Sequence, residues 1–79
     1  LIIIDEVIHC VGECFNIPKH EIETFHEIVN DLGADELDTM DMVIQLEDAF
    51  SINISDEEAS QFIYIQDVVN LVENKLKPE

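Results

Sequence analysis

Seventy-nine residues, 47% of them apolar, suffice for one small hydrophobic core and not for two, so a single domain spanning residues 1–79 is expected. Nineteen carboxylates stand against three lysines and no arginine, a net charge of −16, and the stretch from His20 to Asn74 holds fifteen of those acids with no fixed positive charge. Such a field repels nucleic acid and draws basic protein surfaces, which excludes the first as a partner and favours Lys/Arg-lined protein sites.

The opening run Leu1-Ile2-Ile3-Ile4 meets Asp5 and Glu6 at once, and no window approaches the roughly 18 apolar residues of a membrane span, so none is expected. The chain starts without Met and without a cationic leader, which reads as a mature product or a fragment whose address label is lost. Ile4, Val7, Ile8, Val11 and Phe15 recur at three-and-four spacing and predict an amphipathic helix over about residues 2–16, stopped by Asn16-Ile17-Pro18. Cys10 and Cys14 fall one turn apart on it, with Cβ atoms about 5–6 Å apart where a disulfide needs about 3.5–4.5 Å, so free thiols and a reducing compartment are expected.

From Pro18 to about Ala34 the periodicity fades into one long ordered connection, anchored by Ile22, Ile28, Val29 and Leu32 and punctuated by Asn30-Asp31 and Gly33. Asp35 is a good N-cap, with Asp38 at the third helical position, and opens a second helix that runs to about Phe50. That helix is apolar on two sides: Met42, Val43, Leu46 and Phe50 suit a core, while Leu37, Met40 and Ile44 form a second stripe at i, i+3, i+7. Because Asp38, Asp41, Glu47 and Asp48 lie among them and cannot be buried unpaired, the second stripe is expected to be an exposed docking face. Ser55-Asp56-Glu57-Glu58 is a capping box of the S-x-x-E kind, announcing a short third helix to about Gln61. A last helix over about residues 66–76 aligns Val68, Val69, Val72 and Leu76, with Lys75 and Lys77 at its negative end and Pro78 beyond. No segment reads as a strand. The expected fold is all-α: a bundle of three longer helices and one short one, with a long loop between the first two.

The run Asp31-Leu32-Gly33-Ala34-Asp35-Glu36-Leu37-Asp38-Thr39 resembles the signature of the acyl carrier proteins, in which D-S-L opens the second helix; acids at Asp41, Glu47 and Asp48 and the run Asp56-Glu57-Glu58-Ala59 extend the resemblance over essentially the whole chain. In that family 4'-phosphopantetheine esterifies the serine that here is Glu36. A carboxylate cannot form that ester, and Thr39 sits a helical turn away, so the expected cofactor complement is none. Glu36 itself is comfortable at the first helical position, where its charge meets the positive end of the helix dipole.

The resemblance and the missing hydroxyl together lead to the expectation of an adaptor subunit. It would bind a basic helical protein of the LYR type through Leu37, Asp38, Met40, Asp41, Ile44, Glu47 and Asp48, in mitochondrial iron–sulfur or respiratory-complex assembly, with the mitochondrial matrix as its compartment. The alternative is a carrier of fatty acid or polyketide biosynthesis, working with fatty acid synthase-type enzymes in a bacterial cytoplasm or plastid, whose position 36 is changed from Ser to Glu. The protein is expected to be a monomer on its own. His9, Cys10, Cys14, His20 and His26 lack zinc-site spacing, and Asp31, Asp35 and Asp38 do not follow the order of a calcium loop, so no specific metal site is expected beyond weak, diffuse Mg or Ca binding. With no Ser-His-Asp pattern and no glycine-rich phosphate loop, no enzymatic activity is expected.

Overall fold

Four helices appear in the computed structural model, which describes residues 2–77: α1 (Ile3–Phe15), α2 (Glu36–Phe50), α3 (Asp56–Ala59) and α4 (Ile65–Leu76), with a 3₁₀ turn at Lys19–Glu21 in the first connection. Leu1 and Pro78, invoked above at the two ends, lie outside the described residues. Among the described residues there is no strand, in keeping with the all-α expectation.

Each helix boundary has a local cause. At the end of α1, Asn16 adopts the left-handed conformation (φ 57°, ψ 46°), and its N–H and that of Ile17 both donate to Gly12 O, the latter at 3.0 Å. A Cβ at Gly12 would lie 2.8 Å from Ile17 O, so the turn closes directly onto the glycine. Ser51 (φ 55°) ends α2 in the same left-handed manner. The S-x-x-E box opens α3 as expected, Glu58 N donating to Ser55 Oγ at 3.1 Å and Ser55 N to Glu58 Oε1 at 3.0 Å. Helix α4 starts at Ile65, one residue earlier than the sequence pattern indicates. Asp67 Oδ2 accepts from the N–H groups of Ile63 and Tyr64 at 3.0 and 2.9 Å, doing from the third helical position what the apolar residues before the helix cannot.

Helix α1 packs against both α2 and α4. The core between them is Val7, Cys10 and Val11 from α1, Met42, Leu46 and Phe50 from α2, and Ile65, Val68, Val69 and Val72 from α4, with Ile22, Ile28, Ala34 and Ile54 contributed by the connections. Among the described residues no buried side chain is polar or charged, so the hydrophobic effect carries the fold, at about 1.5–3 kcal/mol per fully buried aliphatic side chain. Three apolar residues depart from the periodicity reading: Ile4 and Leu76, near the outer ends of their helices, are exposed, and Val29 in the long connection points to solvent although its neighbour Ile28 is buried. The connection is ordered by a short antiparallel pairing with the start of α4: Ile28 N donates to Ile63 O (2.8 Å), Ile65 N to His26 O (3.1 Å) and Gln66 N to Thr24 O (2.9 Å) around the bridge Glu27–Tyr64. Lys75 Nζ lies 2.9 Å from Glu58 Oε2, tying the end of α4 to α3.

Candidate functional site on the second helix

The start of α2 is held by reciprocal bonds: Asp38 N donates to Asp35 Oδ1 at 2.8 Å and Asp35 N to Asp38 Oδ2 at 3.1 Å. Thr39 Oγ1 donates back to Asp35 O at 3.0 Å, and Cys14 Sγ lies 3.5 Å from Asp38 O, fastening this end to α1. Glu36 is the first residue of α2 and is exposed. The helix then divides into two faces. Met42, Leu46 and Phe50 are buried and Val43 is half-buried, whereas Leu37, Met40 and Ile44 are 70%, 55% and 60% exposed.

Beyond Glu36, the four other acids of this helix do two different jobs. Asp41 and Asp48 are exposed and make no side-chain hydrogen bond or ion pair among the described residues. Asp38 is committed to the cap, and Glu47 is half-buried, its Oε2 accepting from Ile54 N at 2.9 Å and so holding the turn that leads to α3. Because that turn brings α3 back alongside α2, a groove of about 190 Å³ opens between them, lined by Thr39, Met40, Val43, Ile44, Glu47, Ile54, Asp56 and Ala59. Sequence reasoning named Met40, Ile44 and Glu47 but missed Thr39, Val43, Ile54, Asp56 and Ala59 as lining. The capping box locates α3 along the chain, yet no local signal says how near α2 it lies. A wider, open depression at the end of α1, bordered by His9, Gly12, Glu13 and Asn16 to Lys19, shares no residue with this groove.

The thiols are not activated. Burial raises the pKa of Cys14 above the usual thiol range, with Asp41 and then Asp38 adding to it, and burial followed by Glu6 does the same for Cys10. Both cysteines are free. Among the described residues no three His, Cys, Asp or Glu side chains gather as a metal-binding group, and no helix is long and apolar enough to cross a membrane.

A protein-family model described as the phosphopantetheine attachment site matches residues 5–72. The chain belongs to the acyl carrier protein family. It is 37% identical to the acyl carrier protein of Campylobacter lari over 75 residues, covering 95% of this chain and 97% of the relative. With that of Wolinella succinogenes it shares 39% identity over 71 residues, 90% and 93% of the two chains. Its backbone superposes on the crystal structure of the acyl carrier protein from Thermotoga maritima with a TM-score of 0.77 at 27% identity, over 90% of this chain and 82% of that one. The apo doublet acyl carrier protein from prodigiosin biosynthesis gives 0.81 at 18% identity, over 92% and 35%, a likeness of fold.

These comparisons correct the expectation that no cofactor goes with this chain. The matched model is that of a phosphopantetheine attachment site and the relatives are acyl carrier proteins throughout their length, which makes 4'-phosphopantetheine the prosthetic group of this domain type. The expectation weighed one side chain against a site built from the whole chain. Much of the frame for such an arm is present: an exposed first turn at a rigidly capped helix, beside an apolar-lined groove. The residue at position 36 is the part that does not fit, because a carboxylate offers no hydroxyl for a phosphodiester. The next hydroxyl, that of Thr39, is already donating to Asp35 O.

Proposed function

We propose that the chain is an acyl carrier module of bacterial-type acyl-chain biosynthesis that presents position 36 and the outer face of α2 to the Lys/Arg-lined docking sites of synthase-type enzymes. One observation carries this reading: Leu37, Met40 and Ile44 stand exposed directly after position 36, bordered by the exposed Asp41 and Asp48, on a helix whose other face is locked in the core. An apolar centre with a charged rim is the anatomy of an interface between proteins. In this reading Glu36 occupies the place of the attachment serine, and the recognition surface around it is that of a carrier. An adaptor for a basic LYR-type helical protein in mitochondrial assembly would use the same residues, but the relatives found are bacterial acyl carrier proteins, which favours the synthase reading and, with it, a bacterial cytoplasm over the mitochondrial matrix.

The test restores the missing atom. Glu36→Ser, incubated with a phosphopantetheinyl transferase and coenzyme A, gains the mass of one arm, and Glu36→Ala does not. If folded Glu36→Ser stays unmodified under conditions that load a known carrier, the surface is not that of a carrier and the reading fails.

A further inference from the structure

Of the large apolar side chains that stand exposed outside α2, four lie in two segments: Phe25 and Val29 in the long connection, and Ile63 and Tyr64 at the entrance to α4, with Phe25 the most exposed at 69%. Single exposed apolar residues are ordinary on a protein surface. These four are not scattered, because the Ile28–Ile63, Ile65–His26 and Gln66–Thr24 backbone bonds set the two segments that carry them side by side. The Glu27–Tyr64 bridge lies between two of those bonds, in the non-hydrogen-bonded register where facing side chains approach most closely.

The charge around this patch is of one sign. Glu23, Glu27, Asp31 and Asp67 border it, and two of these carboxylates are fixed in place by backbone donors, Asp31 Oδ2 by Glu27 N at 2.7 Å and Asp67 Oδ2 by Ile63 N and Tyr64 N. None of the four is ion-paired among the described residues. The chain's lysines lie elsewhere: Lys19 is in the 3₁₀ turn, and Lys75 and Lys77 are at the opposite end of α4 from Ile65, roughly 16 Å along the helix. A second copy of this chain, with a net charge of −16, is a poor occupant for such a surface. The patch also adjoins the α2 site, since Ala34 N donates to Ile28 O at 3.1 Å while Ile28 N donates to Ile63 O at 2.8 Å, which places Val29 and Ile63 next to the segment that leads into Asp35 and Glu36.

We propose that Phe25, Val29, Ile63 and Tyr64 form a second docking patch that extends the α2 face past position 36, and that it takes an apolar protein surface rimmed by lysine or arginine, on the same enzyme that grips Leu37, Met40 and Ile44. The proposal rests on the docking reading above. The two are separable because the patch and α2 have no residue in common. Basic side chains of the partner would meet the fixed carboxylates and could lie over the Phe25 and Tyr64 rings.

The experiment is calorimetric titration of the chain into a bacterial ketoacyl synthase, comparing Phe25→Ser and Tyr64→Ser with Met40→Ala and Ile44→Ala, each variant checked by thermal melting. A weakening of about five-fold or more by both pairs, with melting temperatures held, is the expected result. Weakening by the α2 pair alone overturns the extension and leaves the α2 reading standing. Weakening by neither pair overturns both, and weakening by the Phe25 and Tyr64 variants alone overturns the claim of a continuous face. Amide shifts of the unsubstituted chain on adding the synthase give an independent readout: movement at residues 24–29 and 63–66 together with 36–44 is expected, and movement confined to 36–44 counts against the patch. Concentration-dependent self-association that Phe25→Ser abolishes, or co-sedimentation with phosphatidylcholine vesicles, would make a second copy or a lipid surface the occupant and overturn the proposal.

Discussion

Leu46 and Ile44 lie two residues apart on α2 and are isomers that differ only in which carbon carries the branch, yet they should respond to truncation in different assays. Leu46 is 0% exposed. Its truncation to Ala removes buried methyl and methylene groups worth about 0.8 kcal/mol each and leaves a cavity in the core, for a total of about 3 kcal/mol. At roughly 4–8 °C per kcal/mol for a domain of this size, melting should fall by about 12–24 °C. Ile44 is 60% exposed, so the same truncation removes less than half of a full burial term of about 1.5–3 kcal/mol and should cost the isolated fold below about 1 kcal/mol. Its loss should appear in binding instead, as about 1–2 kcal/mol with an enzyme that grips this face. Thermal melts of both variants beside calorimetry against such an enzyme separate the two faces. If Ile44→Ala destabilises the free protein as much as Leu46→Ala does, the outer stripe is part of the core, and both the docking reading and the division of α2 into two faces are wrong.

Asp38 and Asp41 make a second contrast: Asp38→Ala breaks the reciprocal cap and should cost the fold about 1 kcal/mol, while Asp41→Lys, on an exposed residue, should leave melting nearly unchanged and slow association with a basic partner, both readable from melts and stopped-flow binding. The Ser55 N–H and then Lys75 hold the Glu58 carboxyl below the usual glutamate range. A depressed folded-state pKa stabilises at pH values above the ordinary glutamate range, and that contribution is lost as the pH falls through that range and past it. Glu58→Gln should therefore melt lower than the unsubstituted chain at neutral pH, with the gap closing in acid; a gap that does not change with pH would show that the ion pair and cap are not responsible. A few hundred millimolar salt should raise the melting temperature by screening the net charge of −16, and a flat response would mean the acids are already compensated in the fold.

Most of what is local in this protein was legible in the sequence. The apolar spacing of α1, the Asp35 and Ser55 caps and the two stripes of α2 depend on interactions within four or five residues, so residue order alone determines them. The attachment position was equally legible, as an Asp-Glu-Leu where the family has Asp-Ser-Leu, but the single residue at its centre misled on the cofactor of a site that the whole chain builds. Tertiary structure alone decided the rest. Glu47 looks like a rim charge in the sequence; packing commits it to the Ile54 N–H seven residues away. Val29 and Ile28 are adjacent and equally apolar, yet only the pairing of the long connection with the start of α4 fixes which of them is buried and which is left at the surface. Sequence periodicity reports which residues share a face; which element covers that face, and which carboxylates meet a distant backbone donor, is set when segments far apart in the chain come into contact.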